Sequence, residues 1–118
     1  VAKSKHWKAL DDLCRKVVFA RDGNQCVKTG RTDNLQWAHV ESRRYPATRW
    51  DTRFSMTLSA GAHLWWHHRP VEAAEWWSKT FPERATALRM VRSQKQKVDP
   101  KLIRLRLEQE ARALGVEV

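Results

Sequence analysis

Two histidines stand four residues apart in Ala62-His63-Leu64-Trp65-Trp66-His67-His68, and a third, His39, closes the short run Trp37-Ala38-His39 ahead of Val40. Positions four apart on an α-helix project from one face, so His63 and His67 can offer two imidazoles to a single ion. His39 would approach the same point from an extended segment. The chemistry on offer is imidazole ligation of a metal ion.

The chain around these residues reads as a surface for a polyanion. Lys and Arg number 23 against 13 acidic residues, a net charge of +10. Such a balance implies nucleic acid or an anionic membrane surface as partner, and with the histidines it points to nucleic acid and suggests a nuclease site. No apolar run approaches the roughly 20 residues that a bilayer span needs. The first residues, Val1-Ala2-Lys3-Ser4-Lys5, lack the apolar stretch of a signal peptide, so the expectation is no membrane partner and a cytoplasmic location. Cys14 and Cys26 are expected to be reduced rather than paired. At 118 residues the chain is expected to be one domain, residues 1–118, without room for separate binding and catalytic domains.

The elements that must position the histidines are legible from periodicity and punctuation. Trp7, Leu10, Leu13, Cys14, Val17 and Val18 recur at helical spacing until Arg21-Asp22-Gly23-Asn24 breaks the pattern near Ala20. Leu35 to Val40 reads as a strand, Arg43 to Arg49 as a basic loop, and Phe54 to Leu58 as the returning strand. Ser59 can cap the helix that carries His63 and His67, which Pro70 closes or redirects. One or two helices follow between Val71 and Lys95, interrupted at Phe81-Pro82, and Arg92 to Lys97 resembles a solvated linker. A last helix runs from Pro100 to Leu114, with Asp99 as cap and Gly115 as stop. The expected class is α+β, a small two-strand-and-helix core within a mostly helical chain.

The ordered series of motifs resembles the HNH endonucleases of the ββα-metal class, particularly small phage-type members. Arg21-Asp22-Gly23-Asn24-Gln25-Cys26-Val27-Lys28-Thr29-Gly30 matches the family's Arg-Asp-Gly-x-x-Cys-x-x-x-Gly turn, and Thr48-Arg49-Trp50-Asp51 its Thr-Arg-Trp-Asp stretch. The resemblance covers about Leu13 to Arg69, with a motif core at about 21–69 and a helical extension at about 71–115. It implies a metal-dependent DNA endonuclease. His39 would be the general base, His63 and His67 the ligands of one divalent ion (Mg²⁺, Mn²⁺, Ni²⁺, Co²⁺ or Zn²⁺), and the products 5′-phosphate and 3′-hydroxyl ends. A phage origin would add packaging or replication proteins as partners and the host cytoplasm as location.

The chain also departs from the family's pattern. Ala38 stands where many relatives have a further His or Asp ligand, and Phe54 stands near the expected central Asn, leaving Asp51, Thr52 or Ser55 to hold that loop. The two Cys-x-x-Cys pairs of a structural zinc site correspond to Cys26 and Thr29, and to Ser59 and Ala62; one thiolate cannot close a tetrahedral site, so no structural zinc is expected. The alternative reading of these departures is a catalytically degenerate nucleic-acid-binding module of the same fold.

Other residues divide by chemistry. Arg43, Arg44, Arg49 and Arg53 lie between His39 and His63, and their forked donors match phosphate oxygens, so they are expected to contact the DNA backbone. His68 points away from the His63 face and is expected to meet DNA or solvent. Lys95, Lys97, Lys101, Arg104 and Arg106 either extend this track or solvate helices, and His6 has no supporting context. Trp37, Trp50 and most of Trp65, Trp66, Trp76 and Trp77 are expected to pack in the core.

Overall fold

A computed structural model describes residues 2–92 and 97–118, with side chains from residue 5 onward. The central residues of the stretch read as a linker, Lys95 among them, lie outside the described residues. The element order is α1 (Ala2–Arg21), β1 (Leu35–His39), α2 (Pro46–Arg49), a 3₁₀ turn (Thr52–Phe54), β2 (Ser55–Ser59), α3 (Ala60–His68), α4 (Pro70–Thr80), α5 (Pro82–Arg92) and α6 (Pro100–Ala113). The fold is α+β, mostly helical, with a compact body of 36 × 33 × 29 Å. No helix among the described residues is long and apolar enough to cross a membrane.

The apolar stripe of α1 buries Leu10, Cys14, Val17 and Val18. Leu10, Cys14 and Val18 pack with Ile103 and Leu107 of α6 and with Trp50, forming one of two cores. α6 begins where Asp99 accepts a 2.9 Å hydrogen bond from the Lys101 amide, a cap that contributes about 1 kcal/mol. Two residues past the end of α1, Gly23 adopts a φ of +71°, open to glycine without steric cost, and the chain turns back.

That turn brings Arg21 and Asp22 onto β2. Arg21 donates to the carbonyls of Thr52 and Ser55, and Asp22 accepts from the Thr57 amide at 2.9 Å. Val27 then donates its amide to the Thr57 carbonyl at 3.0 Å. The free edge of β2 is thereby closed by the Arg-Asp-Gly turn, as an exposed strand edge requires. On its other edge β2 pairs antiparallel with β1, Leu35 opposite Ser59 and His39 opposite Ser55. All five β2 residues are buried, because α1 covers one face and the helices after the hairpin cover the other. Ala38, Phe54, Met56 and Leu58 join Ala62, Trp77, Ala85 and Leu88 in the second core.

The expected strand at Leu35 to Val40 stops at His39, although the Val40 amide still bonds the Phe54 carbonyl at 2.9 Å. The returning strand starts at Ser55 rather than Phe54, since Asp51 caps a 3₁₀ turn through the Arg53 amide at 3.1 Å. The basic loop contains a helical turn, α2, started by Pro46. Pro70 opens α4, so it redirects the chain there. Cys14 and Cys26 are free thiols in separate cores.

Candidate active site

His39 is the last residue of β1, half-buried beside Trp37, whose ring centroid lies 4.1 Å from the imidazole. Its Nε2 is 3.2 Å from the Arg49 carbonyl oxygen. A carbonyl can only accept, so Nε2 carries the proton and Nδ1 keeps the lone pair. Burial, and secondarily the Arg43 charge, push the imidazole down from 6.5 to about 4, so it is neutral at physiological pH.

This shift gives a testable pH dependence. In the unfolded chain His39 protonates near its ordinary value, whereas in the folded protein it resists until about pH 4. The associated stability is therefore fully present above about 6.5 and is lost as pH falls toward 4. An NMR titration of the His39 ring should give a midpoint near 4; a midpoint near 6.5 would contradict the burial argument.

His63 and His67 project from α3, whose first turn is capped by Ser59 accepting from the Ala62 amide at 3.3 Å. Their Nε2 atoms stand 3.1 Å apart. Gln36 Oε1 accepts from His63 Nδ1 at 2.7 Å, which leaves His63 Nε2 bare and turned toward its partner. Burial and the neighbouring His67 hold His63 below its ordinary value, again favouring the neutral ligand form. Two nitrogens each about 2.0–2.1 Å from one ion stand roughly 3 Å apart, so the pair fits a shared divalent ion. Ala38 is fully buried against the α3 side of the sheet, and no group of three or more His, Cys, Asp and Glu forms a metal cluster among the described residues. An ion here would have two protein ligands and several open positions.

His39, His63 and His67 line one cleft of about 880 Å³. Its walls also carry Arg43, and Arg89 and Arg92 from α5. From the sequence Arg89 has no assigned role and Arg92 falls in the linker, whereas Arg92 ends α5; their three-residue spacing on one helix face was the available signal. Glu41, also in the cleft, pairs with Arg92.

The loop arginines differ in availability. Arg49 is only 14% exposed and makes a forked contact with Asp11, Nε to Oδ1 at 2.9 Å and Nη2 to Oδ2 at 2.6 Å. Its guanidinium also packs beside the touching Trp7 and Trp50 rings, 5.2 Å from each centroid, and the fork and the rings together turn it toward the interior. Arg43 also reaches Asp11, at 2.8 Å, but is mostly exposed. Arg53 forks onto Asp51 and is half-exposed; Arg44 is exposed, its guanidinium 5.5 Å from the Tyr45 ring. His68 is exposed at the end of α3. Of the C-terminal bases, Arg106 donates to the Trp50 carbonyl and Arg104 pairs with Glu108, while Lys97 and Lys101 are exposed. Trp50 and Trp77 are buried; Trp37, Trp65, Trp66 and Trp76 are partly so.

Phe54, at the place of the expected Asn, is wholly buried. The loop is held instead by Asp51 capping the 3₁₀ turn and by Thr52, whose hydroxyl donates to Glu110 at 3.1 Å. Cys26, Thr29 and Ser59 do converge. The Thr29 amide donates to Cys26 Sγ at 3.4 Å, and although burial raises the thiol, hydrogen bonds from Thr29 and Ser59 outweigh it and bring it to about 7. Cys26 Sγ thus has hydrogen-bond partners within the fold. A chelator is therefore expected to leave the thermal midpoint unchanged, and a large drop on chelation would contradict the hydrogen-bonded arrangement.

Comparison of the chain with protein-family models, with curated proteins and with solved structures finds no match.

Proposed function

We propose that the protein is a metal-dependent DNA endonuclease of HNH type. The observation that carries this reading is that one basic cleft holds both a neutral His39, its tautomer set by a carbonyl, and the facing Nε2 atoms of His63 and His67. His39 Nδ1 takes the proton from a water as its oxygen bonds to phosphorus. The bond from phosphorus to the 3′ oxygen breaks, and that oxygen gains a proton from solvent, leaving 5′-phosphate and 3′-hydroxyl ends. His63 and His67 would hold a divalent ion, which when bound would supply Lewis-acid stabilisation of charge on the phosphate. Arg43, Arg89 and Arg92 draw the polyanion into the cleft, and Arg44, Arg53 and His68 extend the contact outward.

End-group analysis of a labelled duplex cut by the protein with Mn²⁺ tests this chemistry. The expected ends are 5′-phosphate and 3′-hydroxyl; ends bearing a 3′-phosphate would exclude the mechanism. A second reading, a DNA-binding module without cleavage, draws support from the buried Ala38, which supplies no ligand where the family has one.

Phosphate contact is tested by salt. Affinity should fall with log salt at a slope of about −0.9 per neutralised phosphate. Arg44→Ala and Arg53→Ala should each reduce the slope by about one unit and weaken diverse sequences alike. Slopes equal to the parent's would show that these side chains merely face solvent.

A further inference from the structure

We infer that Asp11 is a positioning residue for His39: from α1 it holds the Arg49–Trp50 corner so that the Arg49 carbonyl keeps the His39 proton on Nε2 and leaves Nδ1 free. The inference rests on the reading of His39 as the general base. It starts from a carboxylate with an unusual number of committed partners. Asp11 Oδ1 accepts from Arg49 Nε at 2.9 Å and from Trp50 Nε1 at 2.8 Å. Oδ2 accepts from Arg49 Nη2 at 2.6 Å and Arg43 Nη2 at 2.8 Å.

All of these donors belong to the segment between β1 and β2, 32 to 39 residues away in the chain. A fork on one carboxylate constrains the plane and direction of the guanidinium, and so the rotamer of Arg49. The anchored indole of Trp50, itself 1% exposed, constrains the next residue. Between them lies the Arg49 carbonyl. Arg49 ends the four-residue α2, and its carbonyl is directed to His39 Nε2 at 3.2 Å. Arg49 Nη1 also ties back to the Arg43 carbonyl at 3.2 Å, drawing the start of the loop to its end.

Solvent competes little with this arrangement, since the Asp11 and Arg49 side chains are 15% and 14% exposed. Burial works against the Asp11 carboxylate, but its hydrogen bonds from Arg49 and Trp50 outweigh that and hold it ionised. The chain of contacts therefore runs from a helix outside the hairpin, through one side-chain fork, to the backbone atom that selects the imidazole tautomer. A residue that orients a catalytic imidazole in this manner acts at one remove from the reacting atoms.

The test uses the full chain with Asp11→Asn, nearly equal in shape but unable to accept the full fork. Long-range ¹H–¹⁵N NMR reads the His39 tautomer at neutral pH, and single-turnover assays read cleavage separately from DNA affinity. The parent should show the Nε2-protonated tautomer. Asp11→Asn should show a mixture of tautomers and a cleavage rate at saturating DNA about 10–100-fold lower, with part of the rate restored in Asp11→Glu. A folded Asp11→Asn that keeps the parent tautomer and the parent rate would overturn the inference and leave Asp11 a loop tie. If the parent itself does not cleave DNA, the base reading fails, and the tautomer measurement still decides whether Asp11 sets the His39 ring. Arg49→Lys, which keeps the charge and loses the fork, carries the same measurements if Asp11→Asn does not fold.

Discussion

His39→Ala is expected to slow DNA cleavage by about 10²–10⁴-fold, the usual contribution of a positioned general base, while DNA affinity stays near that of the parent. The separation follows from geometry. His39 is half-buried beside Trp37 and bonded to the Arg49 carbonyl, so its removal takes away a proton acceptor without removing an exposed cation. Its low protonation point means that it carries no charge to lose at neutral pH. Single-turnover cleavage beside equilibrium binding checks both halves. An unchanged rate would remove His39 from the mechanism, and a parallel loss of affinity would make it a binding residue.

Phe54→Asn is expected to destabilise the fold severely, even though it installs the residue that the family resemblance leads one to expect. Phe54 is wholly buried between Ala38, Met56 and the helices after the hairpin. Deleting a buried Phe side chain to Ala costs about 3–5 kcal/mol, and an Asn amide without a partner adds its own desolvation cost. The turn does not need the amide, because Asp51 already caps it and Arg21 already binds the carbonyls of Thr52 and Ser55. Urea unfolding should show a markedly lower midpoint at an unchanged slope. Stability within about 0.5 kcal/mol of the parent, the usual range for a surface substitution, would show that the amide finds partners at this position.

Local signals placed the long helices and the hairpin, but not the short α2 or the 3₁₀ turn at Thr52–Phe54. Asp99-Pro100 starts α6, Ser59 caps α3, and the three- and four-residue spacing from Leu10 to Val18 lies on the buried stripe of α1. Each of these is a relation between residues within one or two turns, which a sequence displays directly. The histidine pair was legible for the same reason: four residues on a helix fix the common face.

What remained hidden were relations across the fold. Asp11 reads as an ordinary polar residue of α1, and nothing near it in sequence announces Arg49 and Trp50 as its partners. Gln36, which sets the His63 ring, sits on β1, 27 residues from the imidazole it orients. The Arg-Asp pair at 21 and 22 was visible as part of a motif, but its task, closing the edge of β2, emerges only when the turn at Gly23 folds back. Arg49 illustrates the converse. Its charge and loop position suggested an open phosphate contact, whereas the carboxylate on α1 draws it inside.

Conversion of a supercoiled plasmid by the purified protein, with Mg²⁺, Mn²⁺, Ni²⁺, Co²⁺ and Zn²⁺ in turn and with a chelator, tests the account most directly. Borderline ions favoured by imidazole ligands should support conversion to nicked or linear DNA at lower concentrations than Mg²⁺. Chelation should stop the reaction, and His63→Ala or His67→Ala should each raise the metal concentration required. A protein that binds the plasmid yet leaves it supercoiled with every ion would contradict the endonuclease reading and establish the DNA-binding module in its place.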